Sequence, residues 1–326
     1  MGLLRRQFLL TSAAAATAVF AGCTSTSFSD SKPSSNGKGS GTPSRLLVEK
    51  RSIEVNGRAA MMFRLQQPNG TRGLFLNPGE RFLVNLENRM DEATIVHWHG
   101  QTPPPDQDGV SQFGIPLLQP GEQRAYDFGA RPGTYWMHSH QGFQHQKMLS
   151  APLVVRTADD VRADAQEVTI FLEDFLFRDP AEIFTDLQGG KSEHHDAMAG
   201  MAGMAGMAGM MPSKTMPGAQ EMPGMSGMNG MSGMQMDLND IEFDAYLAND
   251  RTLDDPEIIR VAQGGKIRLR VINGSASTNF HIDLGSLQGT IAAVDRALVN
   301  PLTGRRLRFA LAQRIDLPGA LPKNVR

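Results

Sequence analysis

In Gly79-Glu80-Arg81-Phe82-Leu83-Val84-Asn85-Leu86-Glu87-Asn88, the run that leads on to His97-Trp98-His99-Gly100, apolar residues fall at every second position: Phe82, Val84 and Leu86. Strand side chains point to opposite faces in turn, so this spacing predicts a strand with one buried face. The turn Asn77-Pro78-Gly79 precedes it, and Gln119-Pro120-Gly121-Glu122 precedes Tyr126 and Phe128 in the same way. Short strands between Pro-Gly turns predict an antiparallel sandwich or barrel from Leu46 to Val155. No long segment carries a helical period.

A second block echoes the first. Gly265-Lys266-Ile267-Arg268-Leu269-Arg270-Val271-Ile272-Asn273 leads to His281-Ile282-Asp283, with eight residues from Asn to His where the first copy has nine. This pattern reads as duplication of one β-domain. Asp283 stands where the second histidine of the pair would be, so His281 is expected to be a buried structural residue. The predicted organisation is a leader at 1–22, a flexible tether at 23–44, a first β-domain at 45–157 and a second at 166–326.

Half of the eight histidines lie in His97-Trp98-His99 and His138-Ser139-His140. On strands, both imidazoles of each pair share a face, and four such donors suit copper, zinc, iron or nickel. Trp98 falls on the face opposite its histidines and Trp136 on the same face as His138, both in packing roles. His145 reads as a surface residue or one that supports the ligands from behind.

The choice among metals comes from residues 190–237. Thirteen of the 19 methionines lie between Met198 and Met236, many at every third position among glycines. So much Gly argues against a helix, and the segment is expected to be a disordered insertion in the second domain. Thioethers are soft donors that select Cu(I). Met198, Met201, Met204, Met207, Met210, Met222, Met225, Met228, Met231 and Met234, with His194 and His195, are therefore candidate accessory Cu(I) ligands, and the metal is expected to be copper.

Arg5-Arg6-Gln7-Phe8-Leu9-Leu10 before an Ala-rich apolar run reads as a twin-arginine export signal, which places the mature protein in the periplasm or cell envelope. Cys23 is either a lipid attachment site that anchors the chain to a membrane or an unlipidated leader residue. It is the only cysteine, so the folded body has no disulfide and no thiolate ligand. The formal charge is −2, and the leader contributes two arginines and no acid; nothing points to a nucleic-acid partner.

On His97-Trp98-His99-Gly100, Asp108-Gly109-Val110, Gly133-Thr134-Tyr135-Trp136-Met137-His138-Ser139-His140, Gln144, Pro152-Leu153-Val154, Asn279-Phe280-His281-Ile282-Asp283 and Ala312-Gln313-Arg314, the chain resembles the multicopper oxidases of the laccase and bacterial copper-resistance type. The resemblance implies an all-β chain of two cupredoxin-like Greek-key sandwich domains, the first two of the family's three, and copper as cofactor. It implies substrate or Cu(I) oxidation coupled to reduction of dioxygen to water. By position, His97 would bind type 2 copper, His99 and His138 would share one type 3 copper, and His140 would bind the other. Asp108 would be either a proton relay or a turn residue before Gly109.

The sequence departs from that pattern after Arg314-Ile315-Asp316-Leu317, where Pro318-Gly319-Ala320-Leu321-Pro322 follows. Prolines cannot donate ladder bonds, so a central strand is not expected there and the second domain is expected to lack its last strands. Type 1 copper needs a thiolate, and the family's third domain supplies about half of the cluster ligands. The expectation is a copper-binding chain that is inactive alone and has a separately encoded C-terminal oxidase domain as partner. The rival is a non-catalytic periplasmic copper-binding or copper-resistance protein.

Overall fold

The computed structural model describes residues 41–188 and 241–322. The leader, Cys23 and the Met-rich segment with His194 and His195 lie outside the described residues. Among the described residues no helix is long and apolar enough to cross a membrane.

The first domain is a sandwich of two four-stranded sheets. One contains β1 (Ser44–Val55), β2 (Arg58–Gln66), β4 (Phe82–Asn88) and β6 (Gln123–Phe128) in the order β2-β1-β4-β6. The other contains β3 (Leu74–Leu76), β5 (Val96–His99), β7 (Gly133–Ser139) and β8 (Ser150–Val155) in the order β3-β8-β7-β5. Burial along β4 alternates as its sequence requires: Phe82, Val84, Leu86 and Asn88 face inward. Asn88 is tolerated there because its amide donates to the Glu92 and Leu118 carbonyls and its oxygen accepts from the Met90 amide. Trp98 fills the centre of the sandwich, with ring centroids 4.6 Å from Phe82 and 4.8 Å from Tyr126. Each such fully buried apolar side chain contributes about 1.5–3 kcal/mol.

The second domain repeats this frame after α1 (Ala158–Arg162), a single turn closed by the Thr157–Asp160 capping box. It comprises β9 (Gln166–Phe175), α2 (Pro180–Gln188), β10 (Ala245–Ala248), β11 (Lys266–Asn273), β12 (Phe280–Asp283), β13 (Gly289–Val294), β14 (Ala297–Gly304), β15 (Arg306–Phe309) and β16 (Arg314–Ala320). In the first domain β4 runs parallel to β1 and antiparallel to β6; in the second, β11 runs parallel to β9 and antiparallel to β16. The echo between residues 79–88 and 265–273 is thus an echo in topology. Among the described residues, strands equivalent to β7 and β8 are missing from the second domain, whose smaller sheet is β12 with β15 alone. An apolar groove of about 420 Å³, lined by Ile170, Leu172, Leu269, Val271, Phe280 and Ile282, opens beside β12.

Two expectations need correcting. Residues Arg314–Ala320 form a central strand, in the sheet order β10-β9-β11-β16-β13-β14, despite Pro318. The reason lies in the register: β16 pairs with β13 only at Asp316 and Ile315, so Pro318 lies beyond that ladder and has a strand partner on its β11 side alone. His281 is exposed rather than buried, because β12 places Phe280 and Ile282 toward the interior and His281 and Asp283 toward solvent.

Charged side chains join the two domains. Arg270 of β11, 1 % exposed, donates to the Thr134 hydroxyl of β7 at 2.8 Å, to Asp316 at 3.1 Å and to Glu167 at 2.6 Å, while Thr134 donates to Asp316. Arg72 of the first domain similarly meets Glu173 at 2.7 Å and Asp250 at 3.1 Å. Removing one member of such a buried set strands the others without partners. Arg270→Met is expected to lower the unfolding free energy by about 3–5 kcal/mol, read from the urea midpoint; an unchanged midpoint would show that the network adds nothing to docking.

Candidate metal centre

β5 and β7 are adjacent and antiparallel, in a register that sets His97 opposite His138 and His99 opposite Trp136. His97 and His99 share one face of β5, with Trp98 on the core side. His138 shares that face on β7, and His140 lies just past the end of β7. The four rings gather at centroid distances of 4.8 Å (His138–His140), 5.0 Å (His97–His140), 5.5 Å (His99–His138) and 5.8 Å (His97–His99 and His97–His138). His138 is buried, His97 and His99 are half-buried and His140 is exposed, so the cluster forms a wall open at the His140 end.

Hydrogen bonds fix which nitrogens are available. His97 Nδ1 lies 2.8 Å from the Asp108 carbonyl oxygen, which can only accept, so Nδ1 carries the proton and Nε2 is bare. The Asp108 carboxylate lies 3.4 Å from the same nitrogen. Asp108 is held there because Gly109, at φ +71°, crosses directly under β5; a Cβ on Gly109 would meet the Val96 carbonyl oxygen at 1.8 Å. Asp108 therefore sits in a turn and also beside the cluster. His138 Nδ1 donates to the Ser139 carbonyl at 3.2 Å, which leaves its Nε2 bare and 3.3 Å from His99 Nδ1. Two nitrogens each about 2.0–2.1 Å from one ion at a tetrahedral angle stand about 3.3 Å apart, so this pair is spaced to share one ion.

The donors are also held uncharged. Burial first, and then the positive charge of Arg314, pushes His99 down to about 3. Burial, followed by the neighbouring imidazoles, lowers His138 and His140. Neutral imidazole is the form that binds metal. Among the described residues no three His, Cys, Asp or Glu side chains converge on a single point. The histidines instead offer one or two nitrogens to each of several positions, a donor set that fits copper ions whose remaining ligands come from elsewhere.

Gln144 and Arg314 belong to the family motifs, and their contacts show what each holds. Buried Gln144 accepts from the hydroxyls of Thr94 and Ser139 and donates to Glu92 and the Ala93 carbonyl, so all four of its hydrogen-bonding positions are used to tie the loop after His140 to the end of β7 and to residues 92–94 ahead of β5. Arg314, from the second domain, donates to the Ala312 and Thr134 carbonyls and pairs with Asp295 at 3.0 Å. Trp136 stacks on His138 with centroids 4.1 Å apart and packs against Phe171 and Ile272 of the second domain. The pairing of Phe171 and Ile272 with the site leaves no trace in local sequence, since both are core-like residues of ordinary strands.

Sequence profiles described as multicopper oxidase match residues 48–160 and 168–318. The chain is 29 % identical over 290 residues to copper resistance protein A of Pseudomonas syringae pv. tomato, covering 85 % of this chain and 46 % of that protein. It is 27 % identical over 243 residues to the multicopper oxidase MmcO of Mycobacterium tuberculosis, covering 73 % and 44 %. Among solved structures, Fet3p, a multicopper oxidase that functions in iron import, superposes with a TM-score of 0.62 at 15 % identity, covering 86 % of this chain and 45 % of that one. The blue copper oxidase of Nitrosomonas europaea superposes with a TM-score of 0.59 at 20 % identity, covering 84 % and 74 %. These structures share the fold. The chain spans about half the length of the curated relatives it matches.

The lowered His99 makes stability pH-dependent. Between about 6.5, the unfolded value, and about 3, the unfolded chain takes up a proton that the folded chain refuses, so stability is lost as pH falls through that window. The urea midpoint of the metal-free chain is expected to drop from pH 7 to pH 5, and to drop less in His99→Asn. Parallel profiles for the two proteins would exclude His99 as the source.

Proposed function

The chain belongs to the multicopper oxidase family, and on that premise we propose that its first domain carries half of a trinuclear copper site. His97 binds the type 2 copper through Nε2, His99 and His138 share one type 3 copper, and His140 serves the other. The observation that carries this reading is the approach of His99 Nδ1 to His138 Nε2 at 3.3 Å on adjacent strands, with both rings held neutral. Bound copper supplies one-electron chemistry, by which the family couples substrate or Cu(I) oxidation to reduction of dioxygen to water.

The protein's own residues perform the supporting steps. The Asp108 carbonyl fixes the His97 tautomer, and the Asp108 carboxylate, 3.4 Å from His97 Nδ1, is placed to hold a proton for delivery toward the site. Trp136, stacked on His138, keeps water from that face. Cys23 is the sole cysteine of this sequence, so the thiolate of a type 1 copper is not among these residues. A separately encoded C-terminal oxidase domain would supply it together with the remaining cluster ligands. By itself the chain binds copper without turnover.

The Met-rich segment favours a second reading, a non-catalytic copper-binding or resistance protein in which Met198–Met236 capture Cu(I) in the periplasm or cell envelope after twin-arginine export. Copper titration separates the two. His138→Ala is expected to abolish binding at the histidine wall, and deletion of residues 198–236 to remove a separate, softer set of Cu(I) sites. Phenol or Cu(I) oxidation is expected only when the third-domain partner is added. Turnover by the chain alone, or none with the partner, would overturn the half-enzyme reading.

A further inference from the structure

His145 belongs to neither His-x-His pair, yet among the described residues it is the one histidine of the cluster with a hydrogen bond to the second domain. Its Nε2 lies 2.9 Å from the Gly274 carbonyl oxygen, an acceptor, so Nε2 carries the proton and the ring orientation is fixed from across the domain boundary. The ring centroid is 4.8 Å from His138 and 5.3 Å from Trp136. His138 is thus bracketed by Trp136, stacked at 14°, and by His145, tilted at 45°.

Both supports rest on one patch of the second domain. Trp136 packs on Phe171 and Ile272, and Gly274 follows directly after β11. Gly274 donates its amide to the Leu172 carbonyl at 2.9 Å and lies so close to Phe171 that a Cβ would meet the ring at 2.2 Å. On the other side, the loop that carries His145 is pinned by Gln144 and by backbone bonds from Met148 to His145 and from Leu149 to Gln144. A displacement of Gly274 therefore passes to the His145 ring, and from it to His138, rather than being absorbed by a loose loop.

We propose that His145 is a positioning residue through which docking of the second domain sets the orientation of His138 in the copper site. The proposal rests on His138 being a copper ligand, as argued above. It gives the second domain, which contributes no ligand among the described residues, a defined role: it holds the ring whose Nε2 faces His99.

The test uses the full chain, with Cu(I) affinity measured by competition against a chromophoric chelator and the electron paramagnetic resonance spectrum recorded on the Cu(II)-loaded protein. His145→Phe keeps the ring packing and loses the bond to Gly274; His145→Gln restores a donor. Phe is expected to weaken copper binding by about 10-fold and to shift the copper hyperfine splitting while the count of coordinated nitrogens stays the same; Gln is expected to recover most of both. Phe171→Leu, which loosens the contact from the second domain, is expected to shift the spectrum in the same direction and provides the reading if His145→Phe does not fold. Unchanged affinity and spectrum in these variants, while His138→Ala loses binding, would overturn the role of His145 alone. Loss of one coordinated nitrogen in His145→Phe would overturn it too, by making His145 a ligand. Wild-type binding in His138→Ala would overturn the copper-site reading beneath it.

Discussion

The antiparallel pairing of β5 with β7 is the constraint on which the rest of this structure depends. Its register sets His97 opposite His138, and because strand side chains alternate, a slip of β5 by one residue would turn His97 and His99 into the core and Trp98 out of it. Trp98 prevents the slip: it is fully buried between Phe82 and Tyr126, and its indole N–H donates to the Gln107 carbonyl at 2.9 Å. The hydrophobic core and the metal wall are therefore two faces of the same register.

Placing several imidazoles side by side in a half-buried wall has an energetic cost, visible in the lowered proton affinities of His99, His138 and His140. A protonated imidazole there would be poorly solvated and close to other rings, so the rings stay neutral and their lone pairs remain available. The same arrangement that destabilises the acidified protein readies the site for a cation. Arg314 acts in the same direction on His99, and the Arg270 network holds the domain that carries it.

The legible parts of this molecule were those governed by short-range rules. The period of two at Phe82, Val84 and Leu86, the Pro-Gly turns, and the spacing within each histidine pair all depend on neighbours in sequence. The echo of residues 79–88 in 265–273 pointed to a repeated β-domain, whereas the parallel pairing that the two segments share, β4 on β1 and β11 on β9, is visible only in the fold. Pro318 was misleading because the rule against proline in a central strand assumes partners along both sides, and β13 stops pairing before reaching it. His281 was misleading because alternation along β12 turns Phe280 and Ile282 inward and leaves His281 on the solvent face.

Residue type and local spacing carry the β-sandwich class, the two like-facing imidazole pairs and the single cysteine, and the quoted motifs carry the resemblance to the copper oxidases. Only the tertiary structure decided that His99 Nδ1 meets His138 Nε2 across two strands, that the Asp108 carbonyl fixes the tautomer of His97, and that the second domain reaches the site through Trp136, His145 and Arg314. Those contacts join residues as far apart as Thr134 and Arg314, and no local pattern encodes them: they exist only once burial of the two domains' apolar faces has fixed where each strand lies.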